Sequence, residues 1–137
     1  MKKFIRQYAL VFLAGLIPLL AVSCGGSGGG ADDGEARVRY QLELEDGGPE
    51  CVSRIQYRTE DGDLRTERDL DETDWTYSFY ARDGAALYLD ADIDCGRVTL
   101  SLYLNGSRVT WESGYSRATI EGTLRVDEEN NATFEEN

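Results

Sequence analysis

Residues 97–107 read Arg97-Val98-Thr99-Leu100-Ser101-Leu102-Tyr103-Leu104-Asn105-Gly106-Ser107. Val98, Leu100, Leu102 and Leu104 alternate with Thr99, Ser101 and Tyr103. Successive side chains of a strand point to opposite faces, so this period of two predicts a half-buried strand. Asn105-Gly106 follows. A type I′ hairpin turn needs positive φ at both central positions, which Asn and Gly tolerate best. The stretch therefore predicts a strand, a two-residue turn and a partner strand. Val109 and Trp111 on that partner continue the inward series.

The same period recurs along the chain. Val38, Tyr40, Leu42 and Leu44 alternate with polar residues, as do Ile55 and Tyr57. Trp75, Tyr77 and Phe79 follow, then Leu87, Leu89, Ala91 and Ile93, and finally Ala118, Ile120, Leu124 and Val126. Turn residues separate these runs at Asp46-Gly47-Gly48-Pro49, Asp61-Gly62 and Asp83-Gly84. A polar strand is expected near residues 64–70. No segment carries a helical period. The expected fold is all-β, a two-sheet antiparallel immunoglobulin-like sandwich of seven to eight strands over residues 37–126. The acidic tail, residues 127–137, is expected to fray.

Ahead of this domain, Lys2, Lys3 and Arg6 precede an apolar run from Tyr8 to Leu20, broken only by Pro18. At about 13 residues that run falls short of the roughly 20 that a membrane span needs. The layout is that of a signal peptide over residues 1–23. Leu20-Ala21-Val22-Ser23-Cys24 resembles the lipobox of bacterial lipoproteins. That resemblance implies cleavage before Cys24 and acylation of its thiol and amine. Several acyl chains hold a membrane stably where one does so only marginally. Residues 24–36 include Gly25-Gly26-Ser27-Gly28-Gly29-Gly30 and read as a flexible tether with a span of roughly 20 Å. Gly25 stands where an inner-membrane retention signal would carry Asp. The expected location is therefore the outer membrane or cell surface.

The chain has no histidine, which excludes Ser-His-Asp and Cys-His catalysis. Once residues 1–23 are removed, 11 arginines face 26 acids, a net charge of −15 with no lysine left. Such acidity argues against nucleic-acid binding and against lying flat on anionic lipid. It also fits a salty habitat in which self-repulsion is screened. Cys51 and Cys95 form an even pair in an exported chain, so a disulfide is expected. Both share parity with inward residues. In immunoglobulin-like sandwiches the second and fifth strands pair antiparallel. If Cys51 stands opposite Cys95, Arg54 faces Asp92 and Gln56 faces Asp90.

Ile55 to Gly62, Trp75, Gly84 to Ala91, Gly96 to Gly106 and Ser113 to Thr119 follow one another in a recognisable order. On these stretches residues 36–126 resemble the small mycobacterial membrane proteins of the MmpS type and their lipoprotein relatives. The resemblance implies a β-sandwich displayed beyond a membrane. Mycobacterial members act with RND-type transporters, so such an exporter is a candidate partner. Thr73-Asp74 replaces the Leu-Pro that often precedes the tryptophan of that family. An acylated cysteine replaces its transmembrane helix. It offers no catalytic residues, and no enzyme activity or cofactor is expected.

Two constellations remain. Asp90, Asp92 and Asp94 begin like a calcium loop, but Cys95 occupies the glycine position and Ser101 that of the final glutamate. A solvated acidic face is the expectation, with calcium as the alternative. Tyr80, Tyr88 and Tyr103 sit at outward parity and form the candidate ligand face. The expected role is a non-catalytic envelope accessory or binding module. The alternative is a free-standing surface module that binds glycan, calcium or another cell.

Overall fold

The computed structural model describes residues 34–137. The signal segment, Cys24 and most of the tether lie outside them. Nine strands form: β1 Glu35–Glu45, β2 Val52–Arg58, β3 Leu64–Glu67, β4 Asp74–Arg82, β5 Ala86–Ile93, β6 Arg97–Leu104, β7 Ser107–Gly114, β8 Arg117–Val126 and β9 Ala132–Glu136. They make two antiparallel sheets, ordered β4-β1-β6-β7 and β3-β2-β5-β8-β9. The expected two-sheet sandwich is present, with one or two strands more than the sequence suggests.

Alternation builds the core. Val38, Tyr40 and Leu42 of β1 and Val98, Leu100 and Leu102 of β6 are fully buried. Ile55 and Tyr57 of β2 and Leu87 and Leu89 of β5 are buried from the other sheet. An aromatic layer fills one end. The ring of Tyr57 lies 4.7 Å from that of Tyr77 and 4.9 Å from that of Trp75, and Tyr40 lies 5.4 Å from Phe79. Their polar atoms find partners, as buried aromatics require. Trp75 Nε1 and the Tyr57 hydroxyl both donate to Glu67, at 2.9 and 2.5 Å. The Tyr40 hydroxyl crosses to the other sheet and accepts from the Tyr88 N–H at 3.3 Å.

Cys51 and Cys95 form the expected disulfide, with Cα atoms 4.9 Å apart. Arg54 pairs with Asp92 and Gln56 with Asp90, as the cysteines suggest. Cys95 departs from its expected inward position. β5 ends at Ile93, and a register shift between Val52 and Arg54 brings Val52 opposite Ile93. Cys95 therefore falls in the turn after the strand and is exposed, while Cys51 is buried. By loop-closure entropy a bridge over this separation contributes roughly 3–4 kcal/mol.

The acidic tail is not frayed. Its residues 132–136 form β9, which pairs with β8 along Gly122 to Val126. Phe134 packs against the core. It does so because Gly122 has no side chain. A Cβ there would meet the Phe134 ring at 2.4 Å. The preceding turn is closed by Asp127, whose carboxylate accepts from the N–H groups of Glu129 and Asn131.

Two outcomes follow from this packing. Phe134→Ala removes a half-buried ring and should cost about 2 kcal/mol, roughly half the loss for a fully buried phenylalanine, read as a lower urea midpoint. Burial also pushes the Tyr40 and Tyr57 hydroxyls well above the usual phenol range. An unfolded tyrosine ionises near 10, so these two groups should leave stability unchanged from neutral pH to about pH 10 and lower it as pH rises beyond. Tyr40→Phe should make that fall shallower in the same urea series.

Candidate functional site

The three outward tyrosines do not share a face. Tyr80 on β4 and Tyr103 on β6 belong to the four-stranded sheet, and Tyr88 on β5 belongs to the other. Tyr88 therefore looks away from the other two, and the candidate face over all three is corrected to Tyr80 and Tyr103. Each faces an arginine of β1: Tyr80 opposes Arg37, and Tyr103 opposes Arg39. The Arg39 guanidinium carbon lies 4.0 Å above the Tyr103 ring, in cation–π geometry. On its other side Tyr103 opposes Arg108 of β7. One cross-strand row thus reads Ser78, Arg39, Tyr103, Arg108.

The next row brings a residue that the alternation placed inside. Trp111 is 52% exposed. Leu104 pairs with Ser107 and Tyr103 with Arg108 at the Asn105-Gly106 turn. Continued unchanged, that register would set Val109 against Leu102 and Trp111 against Leu100, both inward. The register shifts by one between Tyr103 and Leu102. Val109 becomes the extra residue of a β-bulge, and Trp111 pairs with Ser101 instead. A slip of one residue turns every following side chain to the other face. The second row then reads Thr76, Gln41, Ser101, Trp111. Trp111 and Tyr103 are diagonal neighbours on it, roughly 7–8 Å apart at their backbones and within mutual reach.

Among the described residues, six arginines are without an ion pair: Arg58, Arg65 and Arg68 around β2 and β3, and three on this face. Arg54, Arg82, Arg97, Arg117 and Arg125 all hold carboxylates. Among the described residues, Arg37, Arg39 and Arg108 have no carboxylate within ion-pair distance. Arg39 Nε is also buried without a hydrogen-bond partner. Arg37, Arg39, Tyr103 and Gly106 enclose a notch of about 30 Å³. That is room for one small polar group. Glu43 and Asp74 oppose each other at the far end of the face. The surface therefore runs from basic and aromatic near the β6–β7 hairpin to acidic at the opposite end.

The other sheet's outer face has the reverse design. Asp90 is fully buried there, not solvated as the sequence suggests. It accepts from Arg54 at 3.1 Å, from Arg117 Nε at 2.7 Å and from the Thr119 hydroxyl at 2.6 Å. Arg54 also binds Asp92. Asp94 lies beyond the end of β5. Two guanidinium groups thus occupy the space that a calcium ion would need. Among the described residues, no cluster of three or more His, Cys, Asp or Glu is arranged to hold a metal. A cleft of about 570 Å³ opens between β3 and β4, lined largely by acids and by Trp75. Its Glu67 is already held by Tyr57 and Trp75.

The chain matches no family model and no curated protein. No helix of the described residues is long and apolar enough to cross a membrane.

Deleting Val109 tests how the face is made. With the bulge residue gone, Tyr103 opposite Arg108, Leu102 opposite Thr110 and Ser101 opposite Trp111 form one continuous register, so Trp111 should stay on the outer face. Tryptophan emission and accessibility to a soluble quencher should match the wild type, with strand content by circular dichroism retained. A blue shift with lost quenching in the folded variant would show that Val109 is not the residue the hairpin leaves unpaired.

Proposed function

We propose that this protein is a non-catalytic binding module of the cell envelope, exported and anchored through lipid on Cys24. It takes its ligand on the outer face of the β4-β1-β6-β7 sheet. The observation that carries this reading is the gathering of Trp111, Tyr103 and three unpaired arginines on one face of a chain with 26 acids. Arg58, Arg65 and Arg68 also lack an ion pair. What sets Arg37, Arg39 and Arg108 apart is the exposed Trp111 and the Tyr103 ring on the same face, the combination that suits a partner. The lipobox-like residues 20–24 and the glycine-rich tether support the anchor. The lack of histidine supports a role without acid–base catalysis. An RND-type exporter, as the MmpS resemblance implies, is one partner that such a face could meet.

Full-length protein expressed in its native envelope tests both halves. Labelled fatty acid should enter the wild type and not Cys24→Ser, and that variant should leave the membrane fraction. Crosslinking with mass spectrometry should recover a specific envelope component. Trp111→Ala should lose it while remaining folded and membrane-bound. Recovery unaffected by Trp111→Ala would place recognition elsewhere.

A further inference from the structure

The notch of about 30 Å³ beside Arg39 is far too small for a metabolite. Small-molecule sites usually enclose roughly 300–1,000 Å³. A hollow of about 390 Å³ does open at the β4 edge, but Glu35, Glu60 and Asp83 line it and it lies at the opposite edge of the sheet from Trp111. A ligand that meets Trp111, Tyr103 and the arginines together lies across the strands, as a polymer would. Its chemistry can be read from the rows. Trp111 and Tyr103 offer two broad apolar rings set diagonally. Thr76, Gln41, Ser78 and Thr99 surround them with hydroxyl and amide groups. Apart from Val109, no exposed aliphatic side chain joins the patch. A protein partner would want a contiguous apolar centre from which water is excluded. A membrane would want more apolar area to insert. Rings set among hydroxyls suit a ligand with apolar ring faces and hydroxyl edges, which is a sugar chain.

The arginines specify its charge. Arg37 and Arg39 stand two apart on β1 with the notch between them, and neither has a carboxylate of its own. A guanidinium binds a carboxylate through two parallel hydrogen bonds. Arg39 Nε, buried and unpartnered, is a donor left open at that point. We propose that this face binds a carboxylated polysaccharide, with a uronate-type carboxylate between Arg37 and Arg39 and sugar rings stacked on Tyr103 and Trp111.

The net charge does not forbid this. In about 0.15 M salt the Debye length is about 8 Å, so distant acids are largely screened. Glu35, two residues from Arg37 on the same face of β1, is neutralised by Arg82 at 3.1 Å, and Glu43 lies four residues from Arg39, roughly 13 Å away at strand spacing. The arginines touch the ligand directly and are not screened from it. At low salt the whole-molecule repulsion should dominate and weaken binding.

The proposal rests on the reading of this face as the recognition surface, and the test separates the two. Full-length protein in neutral detergent micelles is applied to immobilised polygalacturonate, to its methyl-esterified form, to polyglutamate and to vesicles rich in anionic lipid. Polygalacturonate should retain the wild type at 0.15 M salt. Arg37→Gln with Arg39→Gln, and separately Trp111→Ala, should each weaken retention about tenfold or more. Arg125→Gln on the other sheet should not. Equal retention on the methyl ester would overturn the carboxylate. Equal retention on polyglutamate or on vesicles would overturn the sugar. If no glycan retains the protein while Trp111→Ala still loses its envelope component, the polysaccharide is wrong and the recognition face stands. If Trp111→Ala keeps that component as well, both fall.

Discussion

A strand can hide only every second side chain, and both sheets here obey that constraint at nearly every position. Tyr40 shows what it achieves. Its ring is wholly buried from β1, and its hydroxyl reaches the β5 backbone in the facing sheet. The contact ties the layers together while Arg39 and Gln41, its neighbours in sequence, are directed to the opposite face. Inner packing and outer chemistry are thus fixed by the same register. A shift of one residue exchanges them, and β7 makes one such exchange at Val109.

The two outer faces use the same residue types to opposite ends. On the five-stranded sheet, Arg54 and Arg117 close over Asp90 and leave its carboxylate no free lone pair of consequence. Removing one partner of such a group is costly because the other charge is stranded. That cluster holds strands β2, β5 and β8 together. On the four-stranded sheet Arg82 and Arg97 pair with glutamates of β1, but Arg37, Arg39 and Arg108 lie on or beside tyrosines and hold no carboxylate. The first arrangement consumes its hydrogen-bonding capacity internally. The second leaves it available to solvent or to a ligand.

Much of the fold was legible because alternation and turn residues agreed. The β2–β5 register followed from the parity of Cys51 and Cys95 together with the facing of Arg54 and Asp92. The β6–β7 hairpin followed from Asn105-Gly106, both at positive φ. What escaped was irregular. A bulge leaves no mark in composition, so Trp111 read as inward with Val109. β9 escaped because acids outnumber apolar residues in the tail of residues 127–137, and the packing of the Phe134 ring over Gly122 is what gives it a place. Asp90 was read from its sequence neighbours, whereas the arginine of β2 and the arginine and threonine of β8 determine its burial. The tyrosine face failed for a topological reason. β4, β5 and β6 alternate between sheets, so equal parity does not mean a common side.

The position of β1 carries a mechanical meaning. The strand enters directly after the tether and lies in the middle of its sheet, paired with β4 along one side and with β6 along the other. Strain on the tether would act along the strand axis. Hydrogen bonds on both flanks would then be loaded together in shear, instead of opening one after another as at a peeled edge. The rows through Arg39 and Gln41 cross this same strand. A domain held at one end by lipid and at its face by a long polymer would pass the tension through β1 without drawing first on the edge strands β3 and β9. The two shortest strands of the sandwich would stand outside the line of force.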